Sequence, residues 1–352
     1  MKRLLPWLPL FLALACDSRD PFYSRSQEFQ WAPVEMDGAV VFLDPALGRI
    51  ALLRTDGAKV TPSFLPYEGE PRKVQVAPDG KTLVLLDADR SKLTSVHITD
   101  GAHADYPLPA AFTGMSLSGD GKSALLYHEL ASGSGTAMVN AAEIAVADLT
   151  ASAVEAKNPR AATIAGLSKP PVAAFVSPAV PVGDAVHRVA WIEATSVIGL
   201  ADFGPDGAPR TAVVPLAPPD SEALITPFKR TAIAASGVLD LYLIATGSND
   251  VIHLTVDLTG AKLAVSIDQI ASGASPSDLY LFDGADGLRA LAVNAGSRDL
   301  ALLDPRTGTG TVVSLDKDAD AILPFTTTAG SRRALLWHSA TKGSAEIGRA
   351  HV

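Results

Sequence analysis

Six short apolar runs in this sequence end on a side chain able to accept a cation or a hydrogen bond: Asp44, Asp87, His128, Glu193, Asn294 and His338. A seventh run of the same kind ends on Ala245, and Glu129 directly follows His128. Carboxylates, an amide and imidazoles at equivalent strand ends would ring a pocket with acceptors for a cation or a hydroxyl-rich ligand. The competing account is simpler: a chain leaving a strand for a turn meets water there, and such positions are generally polar. Residue types alone leave both accounts open.

Other chemistry finds little support. His128-Glu129 lacks the second histidine of a zinc-protease helix, and one cysteine cannot build a structural zinc site. Gly114–Gly119 is followed by Asp120-Gly121-Lys122 at a strand-to-strand hairpin, where a phosphate loop needs a strand-to-helix turn. Ser134 lies between two glycines but in no nucleophile elbow. Asp316, Asp318 and Asp320 alternate as at the start of a calcium loop, without its sixth-place glycine or distal glutamate, and read as a solvated acidic turn. No catalytic residue, resident metal or cofactor is therefore assigned, a divalent cation being the one candidate ligand of that kind.

The elements that would position these groups recur. The runs Val40–Asp44, Val84–Asp87, Leu125–His128, Ala190–Glu193, Tyr242–Ala245, Leu291–Asn294 and Leu335–His338 end at positions spaced 43, 41, 65, 52, 49 and 44 apart. A second alternating run follows most of them, and Asp-Gly pairs at 37–38, 79–80 and 120–121 precede the early ones. An Asp-Gly pair favours a tight hairpin, because both central residues then take positive φ. This pattern predicts an all-β chain: a β-propeller of about seven four-stranded blades spanning 31–352.

Leu291–Gly308 resembles the YVTN-type bacterial propeller repeat, and the Ala77-Pro78-Asp79-Gly80 stretch is similar to the same group and to lactonase-like propellers. The resemblance covers roughly 31–345 as architecture. It implies the fold. For activity it implies at most a few acidic or amide residues at a central channel around a divalent metal, for which Glu193 and Asn294 are the matching types.

In such a meander the turns joining strands one to two and three to four lie on one face. The tight Asp-Gly turns make that face compact. The long segments Glu129–Ala142 and Lys157–Pro171 fall on the opposite face, with the strand-end residues, and account for the 65-residue gap. Long loops on a rigid scaffold are where binding usually resides, though they are equally well tolerated insertions.

The N-terminus carries a different signal. A basic start, Met1-Lys2-Arg3, precedes the apolar run Leu4–Leu14, which is too short to span a membrane and reads as a signal peptide over 1–15. Leu12–Cys16 resembles a bacterial lipobox, with Ala13 where leucine is usual. That resemblance implies lipidation of Cys16, the only cysteine, and hence an exported chain tethered by 16–30 to a membrane of the cell envelope. The C-terminal Glu346–Val352 resembles the conceptual translation of a sequencing adapter, so Arg349 and His351 receive no role and the seventh blade is expected to lack its natural end, with Tyr23–Phe29 as a candidate outer strand.

The chain carries 29 basic and 38 acidic residues, a net charge of −9, and 6% aromatics. With no basic tract and few stacking aromatics, a nucleic-acid partner is excluded. Three functions remain: an envelope-anchored binding or scaffold protein, taking a protein or small polar ligand on the loop-rich face; a metal-dependent lactonase-like hydrolase; and an envelope assembly factor.

Overall fold

Alternating Val, Leu, Ile and Tyr give each run one face to bury and favour extended backbone. In the computed structural model these runs form antiparallel strands. It describes residues 31–87, 89, 91–129, 140–151, 158–167, 171–217, 224–284, 287–328, 330–339 and 347–348. Among these, a single 3-10 turn, Pro45–Leu47, is the only helical element. The chain divides into two compact units, Met1–Gly69 and Glu70–Val352.

The first unit holds one meander, β1 (Val34–Met36), β2 (Ala39–Asp44), β3 (Arg49–Asp56) and β4 (Lys59–Pro66), paired in that order. The second unit holds six more sheets. Sheet two is β5 (Lys73–Val76), β6 (Thr82–Asp87), β7 (Lys92–His97) and β8 (His103–Pro107). Sheet three is β9 (Gly114–Leu117), β10 (Ser123–Tyr127), β11 (Glu143–Asp148) and β12 (Arg160–Thr163). Sheet four runs β13 (Ala173–Val176), β15 (Ala185–Ala194), β16 (Val197–Phe203) and β17 (Arg210–Pro215), with β14 (Val180–Val182) paired to β15. Sheet five is β18 (Thr226–Ala235), β19 (Val238–Thr246), β20 (Asp250–Asp257) and β21 (Ala264–Ala271). Sheet six is β22 (Pro276–Gly284), β23 (Gly287–Asn294), β24 (Asp299–Asp304) and β25 (Thr309–Ser314). Sheet seven is β26 (Ala321–Thr326), β27 (Arg332–Trp337) and β28 (Ile347–Gly348).

Within the second unit successive sheets meet mostly through their first strands, β5 against β9, β9 against β13, β18 against β22 and β22 against β26, while sheet four meets β18 through β14 and β15. The apolar core lies in the seams so formed. Val84, Leu86 and Leu93 of sheet two interlock with Met115, Ala124 and Leu126 of sheet three. Tyr242, Ile244 and Val251 of sheet five do so with Leu279, Ala292 and Leu303 of sheet six. Successive meanders stacked face to face are the blades of a β-propeller, the fold class the sequence predicts.

Two expectations need correction. Positive φ at both turn residues occurs only at Asp37-Gly38 (φ 47 and 70). At 79–80 and 120–121 only the glycine is left-handed, and the aspartate instead accepts backbone N–H bonds, Asp79 from Lys81 and Thr82 and Asp120 from Lys122. The turn face is also less compact than the Asp-Gly pairs suggest. The β14–β15 hairpin and the longer strand pairs β18–β19 and β22–β23 extend there, so the wide repeat spacings arise partly on that face.

Several sequence expectations lie outside the described residues: Cys16 and all of 1–30, positions 130–139 (with Ser134), 157 and 168–170 of the long segments, and Arg349 and His351. Ile347–Gly348 pairs with β27.

Candidate functional site

The strand-end residues are not surface groups. Asp44, Asp87, His128, Glu193 and Asn294 are buried, the last two completely. Burying a charge or an amide is costly unless a partner is supplied, so the partners define what each residue does.

In the first unit Asp44 closes β2 and lies 3.3 Å from Arg49 Nε, whose guanidinium also covers the Phe64 ring at 4.2 Å. In the second unit the partners come mostly from the neighbouring sheet. Glu193, on β15, has Arg230 Nε of β18 2.8 Å from its Oε1, and that oxygen also accepts from Trp191 Nε1 at 3.2 Å. Arg230 in turn stacks on Phe175 at 4.2 Å. Burial pushes the Glu193 carboxyl above the usual carboxylate range, and Arg230 pulls against that rise. Glu129 pairs with Lys73 of β5 at 2.9 Å and accepts from the Tyr127 hydroxyl at 3.3 Å. Burial and the adjacent carboxylate push that phenol up to about 12.

Asn294 serves its own seam. Its Oδ1 accepts from Ser272 Oγ, and its Nδ2 donates to Ser272 O and to Asp299 Oδ1 at 2.6 Å. It thereby fixes the connection from sheet five to sheet six, and Gly273 (φ 153) is required there because a Cβ would sit 2.5 Å from Asn294 Nδ2. His128 packs against Phe112 with ring centroids 4.9 Å apart and the planes tilted by 33°, and burial holds its imidazole below the usual range. His338 lies 3.4 Å from Asp320 Oδ2, and Asp320 also accepts from Ser339 N–H and Oγ. Asp87 is buried and engaged within the chain. Within the acidic run, Asp318 pairs with Arg298 at 2.7 Å. Among the described residues no three His, Cys, Asp or Glu side chains stand together as a cation site.

The same logic exposes residues the sequence pattern did not mark. Gln75 of β5 bridges to Met115 O and Leu117 N–H of β9. Arg188 of β15 reaches Asp120 of sheet three at 2.9 Å. Lys229 of β18 meets Asp278 of β22 at 2.7 Å, and Asp278 Oδ2 accepts from Ile322 N–H of β26 at 2.7 Å. Each seam of the second unit thus has a polar staple. No local motif announces such partners, because each pair joins residues 40 or more positions apart or lies across two blades.

One seam opens at its loop-rich end. Between sheets five and six lies a cleft of about 580 Å³, lined by Phe228, Ala245–Asn249, Ser275–Ser277 and Ala295. Two bulges shape it. In β18 the register steps from Pro227 to Lys229, leaving Phe228 unpaired, and in β22 it steps from Pro276 to Asp278, leaving Ser277 unpaired. A bulge re-aims a side chain and is common beside functional sites. The sequence trace of this is faint: Pro227 and Pro276 are 49 apart, the same interval as the strand ends at 245 and 294.

No protein-family model and no curated protein sequence matches the chain. Solved structures similar to it include hydrazine synthase of Kuenenia stuttgartiensis, at 12% identity over 92% of this chain and 99% of that one (TM-score 0.39). Others are the periplasmic gluconolactonase of Pseudomonas aeruginosa, at 13% identity over 84% of each chain (0.39), and virginiamycin B lyase of Staphylococcus aureus, at 13% over 87% and 89% (0.39). At TM-scores below one half none of these likenesses carries an argument about the site.

Proposed function

We propose that the chain is an exported β-propeller, held at the cell envelope by a lipid on Cys16, which binds or scaffolds a protein or small polar ligand through its loop-rich face without catalysing a reaction. The observation that carries this reading is the engagement of three of the candidate polar side chains between sheets, although Glu193 Oε2 and His128 Nδ1 stay buried without a hydrogen-bond partner among the described residues. Glu193 and Asn294, the types that match a hydrolase channel, and the part-exposed Glu129 are engaged by Arg230, Ser272 and Lys73 in holding sheets together. A rigid scaffold with its reactive types so occupied offers shape and loops rather than a reacting centre.

The test is a pull-down from membranes with the mature chain, read by mass spectrometry alongside metal analysis. A stoichiometric ligand or protein partner without bound divalent ion is the expected result. A bound divalent ion with chelator-sensitive hydrolysis would replace this reading with the hydrolase, and capture of one protein partner with no small-molecule binding would narrow it to an assembly factor. Cys16→Ser should lower the mature mass by the lipid and release the protein from membranes. An unchanged mass and retention would remove the anchor.

A further inference from the structure

The cleft between sheets five and six has the chemistry of a ligand site; a proposal for it rests on the binding function and names what is bound. Its lining residues carry no charge. Lys229 and Asp278, which directly follow the two bulged residues, neutralise each other at 2.7 Å. An anionic or cationic ligand would find no countercharge in the lining itself, which favours a neutral occupant.

The wall contributes one aromatic face and a set of short polar groups. Phe228 keeps 43% of its surface exposed although it is flanked by a buried proline, because the bulge turns its ring out of the sheet. Around it are the hydroxyls of Thr246, Ser248, Ser275 and Ser277 and the amide of Asn249. Several retain unused capacity. Asn249 Oδ1 accepts from Ser275 N–H at 3.1 Å, leaving both Nδ2 protons without an acceptor among the described residues. Ser248 Oγ accepts from Asp250 N–H at 3.1 Å, so its own proton is available. The Ser275 hydroxyl bonds to no described residue, and Ser275 is held at φ 54, an uncommon conformation for a residue with a side chain. Thr246 and Ser277 donate to Thr226 O and Val293 O and keep their lone pairs.

The groups are also held in place. Asn294 clamps Ser272, Gly296 N–H bonds to Ala274 O, and Ser297 Oγ accepts from Ala274 N–H, so the connection bearing Ser275 is tied at several points. An apolar ring face beside fixed neutral donors and acceptors complements a ligand with C–H bonds on one face and hydroxyls around its rim. The volume falls within the range of small-molecule pockets, ~300–1,000 Å³. We infer that this cleft binds a neutral saccharide, stacked on Phe228 and hydrogen-bonded by Asn249, Ser248 and Ser275.

Saturation-transfer NMR on the full mature chain, with maltotetraose and chitotetraose as probes, tests the assignment. At least one sugar should bind, Phe228→Ala should weaken it about tenfold, and Phe228→Trp, which keeps the stacking face, should retain it. Asn249→Ala should weaken it as well. No binding of either sugar at saturating concentration, or binding unmoved by Phe228→Ala, overturns the inference. The same Phe228→Ala protein in the membrane pull-down separates this from the broader reading. A protein partner retained by that variant leaves the scaffold function intact whatever the sugar result, while loss of every partner and ligand from the unaltered chain would sink the broader reading itself.

Discussion

Two phenylalanines at the loop-rich ends of two seams have opposite fates. Phe112, leading into sheet three, has no exposed surface and seals its seam against Leu126, Tyr106 and the tilted ring of His128. Phe228, at the start of sheet five, is pushed out by a bulge and leaves its seam open as a cleft. Both are large apolar residues beside a first strand. What separates them is register: without a bulge the chain buries its aromatic and closes the end of the seam, and with one it does not. The second unit is thus stapled at every seam, while at the loop-rich end the seam between sheets five and six stands open.

The largest effect separating the two is expected at Phe112. Phe112→Ala should cost about 3–5 kcal/mol through the cavity it leaves, whereas Phe228→Ala should stay within about 0.5 kcal/mol because its ring already meets water. Equilibrium denaturation of the two variants measures both, and equal losses would mean that Phe228 is part of the core.

A smaller effect bears on the staples. Burial of Asp120 favours its protonated form, but hydrogen bonds from Ser118 Oγ and Lys122 N–H together with Arg188 outweigh it and hold the carboxyl below its usual range. The unfolded chain then binds the proton more readily. The stability this group contributes is fully present above the ordinary aspartate range and is lost as pH falls through the lowered folded value. Asp120→Asn should flatten that part of the acid-unfolding curve, and an unchanged curve would show that the Arg188 link between sheets three and four carries no weight.

Much of this molecule is readable from its residues, and unevenly. Strands such as Val84–Asp87 and Leu291–Asn294 are legible because a period of two is a local property. The strand-end residues stand out for the same reason, but their purpose does not. Glu193 looks identical whether it faces a channel or Arg230, and Arg230 arrives from the next sheet. The β14–β15 hairpin is hidden because Gly183 and Pro181 read as ordinary loop residues. The cleft is least visible of all: a bulge is a mismatch between two strands, and Pro227-Phe228-Lys229 records only one of them.

Equilibrium unfolding of Glu193→Leu, alone and with Arg230→Met, tests most directly whether the buried polar residues serve architecture. If they do, the single change strands a half-buried guanidinium and costs about 3 kcal/mol, and the paired change recovers most of that loss. If Glu193→Leu instead leaves stability unchanged or raises it, Glu193 is a group retained for function at the expense of the fold, and the stapling role of the buried polar residues is contradicted.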